Sequence, residues 1–346
     1  MVITMKNEPT LDQWRRLYQI AMQFKELACW DWMYDDDVFG VEDPETGEIA
    51  FCTIMGNAGQ HYAIAGYLGK EGLNCIKQMQ EGPDPEIDAD LGFSQKCLMC
   101  SFEDREFTKP QDRKLIKELA LTFRGRDAWP VFRDFQPGLE PWYLTDAQCQ
   151  FLTLIIEQAM DVANWCRTDK SLISSETEDR YLIRRSKKSR NGELTWYNEY
   201  QEIESSPSYV SFVLSDEIKV NQLSKLSKSR SLILEVDTFF LPNLINDGER
   251  PYFAKACMIV DGKKGQILGI EMIRNTNTEG YKLLEYIEKI ITSKQKRPAV
   301  VYVSKLETFY LISDFCKQLG IELDLRKHLP YLRNAKRGLM ESMSRR

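Results

Sequence analysis

The chain has 346 residues, 43% of them hydrophobic and 28% charged, and a formal net charge of −6 at pH 7. This length allows two globular domains of ordinary size, and the negative balance excludes a protein that binds nucleic acid with its whole surface. No stretch reaches the roughly 20 apolar residues of a membrane helix, and residues 1–10 lack the basic and apolar segments of a secretory signal. We therefore expect a cytoplasmic protein without a membrane partner.

Nine cysteines, an odd number, are scattered along the chain, mostly among apolar residues. Reduced cysteines behave in this way as small core residues. The one close pair is Cys97 and Cys100, and no second pair completes a set of four zinc ligands. Residues three apart also point to opposite faces of a strand. We predict structural cysteines, and a metal or redox role is the less favoured alternative.

The N-terminal part of the chain begins with a helix and continues with strands. Residues 10–29 have apolar side chains at helical spacing, with Thr10 as a plausible cap and Gln13 three residues later. Three apolar runs separated by turn residues then predict a small antiparallel meander: residues 38–41, 49–55 and 62–68. Eight acids and no base lie in residues 30–48.

Residues 70–204 have a more mixed pattern. Helices are predicted for residues 70–82, 109–123 and 146–166, and strands for 95–107, 180–185 and 193–203. Residues 128–148 are aromatic and contain three prolines, so we expect irregular structure there. The basic run 184–190 is expected to form a turn. Residues 221–231 are rich in Ser and Lys, which predicts a domain boundary and gives domains of residues 1–225 and 226–346.

The C-terminal domain has the clearest pattern. Strands are predicted for residues 232–241, 253–260, 266–274, 299–303 and 321–325, and helices for the segments that begin at residues 278, 305 and 330. Asp261 precedes a glycine, which is typical of a turn between the second and third strands. The fold class is therefore α+β, with a mixed N-terminal meander domain and a C-terminal mixed sheet with flanking helices.

The order of these C-terminal elements resembles that of ribonuclease-H-like domains, which include the cores of integrases and transposases. The matching segments are "VDTFF", "IVDGKKGQILGIEMI" and "RPAVVYVSKLETFYLISDFCKQLGIEL". The resemblance implies three antiparallel strands, followed by two strands that join parallel to the first through helices.

The whole chain also resembles a family of uncharacterised two-domain bacterial proteins. The N-terminal segments are "CWDWMYDDDVFGVEDPETGE" and "MGNAGQHYAIAGYLGKEGL", and the C-terminal ones are "VDTFFLP" and "GERPYFAKACMIVDGKKGQILG". This resemblance implies two domains of unknown function and no established activity.

Asp237, within "LILEVDTFF", is the principal candidate for a metal ligand. Ribonuclease-H-like nucleases hold two Mg²⁺ ions between carboxylates, and the first of these carboxylates lies on the strand that corresponds to this segment. Glu235 shares its strand face, while Glu307 and Glu341 lie on later helices. The strand end that should carry a further acid reads Val303-Ser304-Lys305. Mg²⁺ prefers oxygen ligands, and a cation beside it would compete. The two strand carboxylates could instead pair with a base such as Lys255 or face water.

Other candidate chemistry has weaker support. The sequence contains no Walker loop, no GxSxG elbow and no HExxH motif. Cys316 and His328 could form a dyad, but Cys316 lies on an apolar helical stripe. His61 is expected on a strand, donating to a neighbour. The "WDWMYDDD" segment could recognise a basic peptide, although an ordinary helix-to-strand connection is the favoured interpretation.

The pattern favours a non-enzymatic binding or scaffolding protein whose ribonuclease-H-like domain has an incomplete acidic site. A nucleic acid or a protein could be its partner. The first alternative is an Mg²⁺-dependent nuclease or integrase-like enzyme that uses Asp237. The second is a peptide-binding module that uses the acidic N-terminal surface.

Overall fold

A computed structural model describes residues 7–81, 85–173, 179–204 and 209–344, and the chain divides into two compact units. The first unit consists of Met1–Pro137 and Pro141–Pro207, and the second of Gly138–Glu140 and Ser208–Arg346. Each unit contains helices and one mixed sheet, so the predicted α+β architecture of two domains is confirmed. Within the described ranges, none of the helices has the length and apolar character needed to span a bilayer.

The first unit is built on a seven-stranded sheet. Its strands are β1 (Phe39–Glu42), β2 (Ile49–Met55), β3 (Tyr62–Leu68), β4 (Cys97–Glu103), β5 (Trp129–Phe135), β6 (Arg180–Lys188) and β7 (Leu194–Glu202). They lie in the order β5-β4-β3-β2-β1-β6-β7. All neighbouring pairs are antiparallel except β1 and β6. The predicted meander is therefore the centre of a larger sheet.

Helices cover both faces of this sheet. They are α1 (Leu11–Leu27), α2 (Gly69–Gln80), α3 (Pro85–Ser94), α4 (Pro110–Glu118) and α5 (Asp146–Cys166). The apolar stripes of α1 and α5 share one core with residues of β1–β4, and α2 packs into a second core. Thr10 and Thr145 cap α1 and α5 through capping boxes with Gln13 and Gln148.

Three expectations for the first unit were wrong in detail. Residues 129–135 form strand β5, which tolerates Pro130 because an edge strand needs hydrogen bonds on one side only. Helix α4 ends at Glu118, before Ala120 takes a left-handed φ of 55°. Most of the basic run 184–190 belongs to strand β6 rather than to a turn, because pairing with β7 continues beyond residue 185 as far as Lys188 and Leu194.

The second unit contains a five-stranded sheet with the predicted directions. Its strands are β8 (Lys228–Ile245), β9 (Tyr252–Asp261), β10 (Ile267–Ile273), β11 (Arg297–Val303) and β12 (Glu322–Leu325), in the order β10-β9-β8-β11-β12. The first three are antiparallel, while β11 is parallel to β8 and β12 is parallel to β11. The Asp261 carboxylate accepts the backbone N–H groups of Lys263 and Lys264, both at 2.9 Å, so its predicted turn is confirmed.

Helices lie on both faces of the five-stranded sheet. They are α6 (Glu217–Ser224), α7 (Thr276–Glu279), α8 (Tyr281–Lys294), α9 (Leu306–Leu319) and α10 (Pro330–Ser344). α8 and α9 share a core with Leu234 and Val236 of β8, whereas α10 packs with Phe239 and its neighbours. Residues 221–231, where the sequence predicts the domain boundary, form the end of α6 and the beginning of β8.

Candidate functional site

Asp237 lies in the middle of β8 and is 2% exposed. Its neighbours along the strand, Val236 and Phe239, belong to the two cores on opposite faces of the sheet, as strand alternation predicts. A carboxylate in such surroundings is stable only if its oxygens are hydrogen-bonded or neutralised. The contacts of Asp237 therefore decide what this position can do.

Protein donors surround both oxygens of the Asp237 carboxylate. Oδ1 accepts the Thr308 hydroxyl at 2.6 Å and the backbone N–H of Thr238 at 2.9 Å. Oδ2 accepts the hydroxyl of Ser304 and, at 3.3 Å, its backbone N–H. Ser304 follows β11, and Thr308 is in the first turn of α9. The group of Asp237, Thr238, Ser304 and Thr308 is called the hydroxyl cradle below.

Glu307 lies beside the cradle but is paired with a lysine. Its Oε2 is 2.5 Å from Nζ of Lys255 and 3.5 Å from the Thr238 hydroxyl. Burial raises the pKa of Glu307, but the positive charges of Lys255 and Lys305, together with hydrogen bonds from Lys255 and Thr276, lower it more. The net pKa is therefore below its ordinary value. Nζ of Lys305 donates to the Thr238 carbonyl oxygen at 2.5 Å. The two acids at the cradle, Asp237 and Glu307, are thus balanced by two lysines, Lys255 and Lys305.

Glu235 and Asp237 lie on one face of β8, but their carboxylates have different hydrogen-bond partners. It is 3% exposed, and its Oε2 accepts the backbone N–H of Leu332 at 2.7 Å, in the first turn of α10. Burial raises the pKa of Glu235, while the N–H groups of Leu332 and Tyr331 act in the opposite direction. Glu235 therefore serves as an acceptor for the otherwise unpaired donors of a helix N-terminus.

The other residues singled out from the sequence are placed apart from such a network. Glu341 is exposed on α10, and His61 is exposed just before β3 rather than within it. Cys316 is buried on α9, where burial raises the pKa of its thiol to about 12, whereas His328 is exposed. A thiol with that pKa forms almost no thiolate at neutral pH.

A pair of Mg²⁺ ions does not fit the residues around Asp237. Such a pair needs several oxygen ligands that are free to approach it at about 2.0–2.1 Å. Here the carboxylate oxygens accept protein hydrogen bonds, Ser304 stands at the strand end, and Glu307 is held by Lys255. Within residues 7–81, 85–173, 179–204 and 209–344, no three His, Cys, Asp or Glu residues lie together as a metal site.

The sequence pattern pointed to Asp237 and to the unusual residues after β11, but it did not reveal the cradle. Thr308 had not been singled out, because a threonine one turn into a helix is ordinary. The available signal was spacing: Ser304 and Thr308 are four residues apart across the start of a helix, which can bring two hydroxyls to one side. Lys305 was visible as a cation beside the strand end, whereas Thr238 had no comparable signal.

The close pair of cysteines in the first unit is buried, and the acidic segment has partners within the unit. Cys97 and Cys100 are buried in different cores, on opposite faces of β4. In the segment "WDWMYDDD", the Lys170 ammonium lies 2.8 Å from the Asp37 carboxylate and 4.0 Å from the ring centre of Tyr34. The guanidinium of Arg167 lies 5.0 Å from the Trp32 ring. Arg167 and Lys170, which follow α5, thus already contact two aromatic rings of this segment.

A cavity of about 430 Å³ opens in the first unit between α1, α5 and the β1–β2 turn. Arg16 and Glu157 on its wall form an ion pair of 2.5 Å, and Phe151 and Leu154 supply apolar surface. Its charged helix residues are therefore paired with each other, and none of the predicted catalytic or metal-binding residues lines the cavity.

The comparisons with known proteins match the two parts of the chain to two families. Residues 14–184 match the model of a domain of unknown function, DUF7309, and residues 219–340 match that of another, DUF6930. A search of curated proteins found no match. The expected resemblance to a two-domain protein built from domains of unknown function is confirmed.

Proposed function

We propose that this protein of two domains of unknown function is a non-catalytic binding or scaffolding protein whose second unit is a ribonuclease-H-like domain without a metal centre. The observation that carries the proposal is the hydrogen bond from the Ser304 hydroxyl to the Asp237 carboxylate. It occupies an oxygen that a nuclease would leave for a divalent ion, at the strand end where the next acid is expected.

The strand arrangement supports the ribonuclease-H-like assignment. The first three strands, β8 to β10, are antiparallel, while β11 and β12 run parallel to β8. These are the directions that the resemblance implies. Helix α9 connects β11 to β12, as is usual between adjacent parallel strands. Fold alone does not specify function, so the assignment of activity depends on the residues at the site.

The residues at the site support binding rather than hydrolysis. Lys255 and Lys305 bring positive charge to the position where a nuclease would collect divalent ions, and each contacts a group of the cradle or its neighbour Glu307. The four charged side chains are mutually compensated, so bound cations are not needed to make the buried carboxylates stable. The Ser304 hydroxyl then links the end of β11 to the middle of β8.

A cleavage assay tests this proposal. The full chain and its Asp237→Asn variant are incubated with labelled single- and double-stranded DNA and RNA in Mg²⁺ or Mn²⁺. We expect no cleavage above buffer in either sample. Cleavage by the natural chain that Asp237→Asn removes would refute the proposal and favour the nuclease alternative.

The peptide-binding alternative stays a prediction for the acidic N-terminal surface. It requires a basic partner to contact rings that Arg167 and Lys170 already contact. Salt-sensitive capture of a basic peptide by the chain truncated at residue 225 would support it.

A further inference from the structure

We propose that the second unit binds single-stranded nucleic acid on a basic surface formed by the β9–β10 turn and the start of α10, separate from the hydroxyl cradle. This surface, called the α10 surface below, contains the basic residues Lys263, Lys264, Arg326, Lys327, Arg333 and Arg337. This inference rests on the proposed binding function, and it gives single-stranded nucleic acid as the ligand.

The charge of the chain is divided unevenly between its two parts. Residues 208–346 contain 23 Lys and Arg and 16 Asp and Glu, a balance of +7. Residues 1–207 contain 23 Lys and Arg and 36 Asp and Glu, a balance of −13. The chain is acidic overall although residues 208–346 are basic. A basic part within an acidic chain is typical of a localised binding site for a polyanion.

The positive charge of the second unit is concentrated on exposed residues around α10. The stretch 326–337, "RKHLPYLRNAKR", contains five bases and no acid, and four of the five are exposed. Lys263 and Lys264 are exposed in the turn that precedes β10. Asp324 pairs with Arg326 at 3.0 Å, so the charge of this arginine is partly balanced.

A close contact joins the turn to the helix. The position of a Cβ on Gly265 would be 2.9 Å from the ring of Tyr331, in the first turn of α10. Any side chain there would collide with that ring, so the glycine lets the lysine turn lie against the helix. The two basic segments therefore form one surface.

An aromatic side chain lies within this basic surface. Tyr331 is 38% exposed, although its ring contacts Gly265, and it is flanked in sequence by Lys327 and Arg333. Proteins that bind single strands combine a basic path for the phosphates with exposed rings on which bases stack. An acidic protein partner would use the positive charge but would not require the ring.

The packing of α10 argues against a membrane as the polyanion. An interfacial helix must place its apolar side in the bilayer. In α10 the apolar residues Leu332, Ala335, Leu339 and Met340 pack against the sheet. The exposed residues of α10 include Arg333 and Arg337 rather than an apolar stripe, which suits a phosphate backbone.

Fluorescence anisotropy with a labelled 20-nucleotide DNA or RNA strand tests the inference on the full chain at about 50 mM salt. We expect binding that weakens with salt, with a log–log slope of about −0.7 for each phosphate contact. The double variants Lys263→Glu/Lys264→Glu and Lys327→Glu/Arg337→Glu should each weaken binding at least about tenfold. Tyr331→Ala should weaken oligonucleotide binding more than it weakens binding of heparin, which has charge but no bases.

A matched control is Lys289→Glu/Lys317→Glu, which makes the same charge change on exposed residues of α8 and α9, on the other side of the sheet. It should retain binding within about twofold of the natural chain. Equal weakening by the control, no binding of either strand, or binding only to phosphatidylserine vesicles would overturn the inference. Circular dichroism checks that each variant is folded.

The same samples separate this inference from the proposed function. After incubation with Mg²⁺, the oligonucleotide is also run on a denaturing gel. Cleavage would refute the non-catalytic proposal whatever the anisotropy shows. If the oligonucleotide stays intact and does not bind, only the inference that the α10 surface binds single-stranded nucleic acid would be refuted.

Discussion

The hydroxyl of Ser304 donates a hydrogen bond to the carboxylate of Asp237, across the two parallel strands β11 and β8. The Thr308 hydroxyl donates to the same carboxylate. The buried Asp237 side chain therefore links β8 to the end of β11 and to the first turn of α9. This relationship explains how a chain keeps an aspartate in the middle of a buried strand. Protein donors satisfy both of its oxygens, and neighbouring lysines balance the local charge.

Stability changes in the second unit need a local measurement. All seven tryptophans lie between Trp14 and Trp196, so tryptophan fluorescence follows the first unit. Hydrogen exchange of β8 and β11 amides, corrected for intrinsic exchange rates, measures the opening free energy of the second unit.

Asp237→Asn should lower the opening free energy of the second unit by about 2–3 kcal/mol, because hydrogen bonds to a charged group are worth about 1.5–3 kcal/mol. The amide also presents a donor to neighbours that are themselves donors. Glu341→Gln, on an exposed residue, should change it by less than about 0.5 kcal/mol. Equal effects of the two variants would show that the cradle does not hold β8.

Ser304→Asp should create the second acid that the strand end lacks. Two adjacent carboxylates repel each other, so the variant should be less stable than the natural chain at neutral pH. Millimolar Mn²⁺ should restore part of that stability, while Ser304→Ala, which loses a donor, should show no such recovery. Equal responses of both variants to Mn²⁺ would argue against this geometry.

The Lys255–Glu307 ion pair should be costly to break from one side. Glu307→Gln leaves the Lys255 ammonium, which is 8% exposed, without its partner and should cost about 2–4 kcal/mol. Replacing both residues, Lys255→Met/Glu307→Leu, should cost less than Glu307→Gln alone. As a control, Glu118→Gln in the exposed pair with Lys114 should cost under about 1 kcal/mol. A double-mutant cycle without coupling would contradict the ion pair.

The same pair predicts a pH dependence. The pKa of Glu307 is lowered in the folded chain, so its stabilising contribution is present above its ordinary pKa of 4.5 and is lost as the pH falls through the folded value. Opening free energies measured below pH 4.5 should therefore converge for the natural chain and Glu307→Gln. A constant difference across that range would contradict this prediction.

Glu235 should have the opposite pH dependence. Its pKa is raised by burial, so the folded chain loses stability as the pH rises from the ordinary 4.5 through the raised value. Glu235→Gln should remove this loss while its side-chain oxygen still accepts the Leu332 N–H, and Glu235→Ala should increase exchange at the start of α10. Identical pH profiles for the natural chain and Glu235→Gln would contradict this role.

The amphipathic and alternating patterns predicted most elements of both units because periodicity depends on which side chains are buried. They failed at β5, where a proline concealed an edge strand, and at the basic run, where pairing of β6 with β7 continues to Lys188. The position of Asp237 and the missing acid after β11 could be read from the sequence. The hydroxyl cradle could not, because it joins β8 to residues about 70 positions later through side-chain rotamers that no spacing rule fixes.

The central claim is that protein donors and lysines, rather than paired divalent ions, satisfy Asp237. Titration of Mn²⁺ into the full chain, followed by the electron paramagnetic resonance signal of the free ion, tests this claim most directly. We predict that the free signal rises as in buffer and that Asp237→Asn gives the same curve. Loss of two equivalents of free signal in the natural chain, restored in Asp237→Asn, would contradict the account.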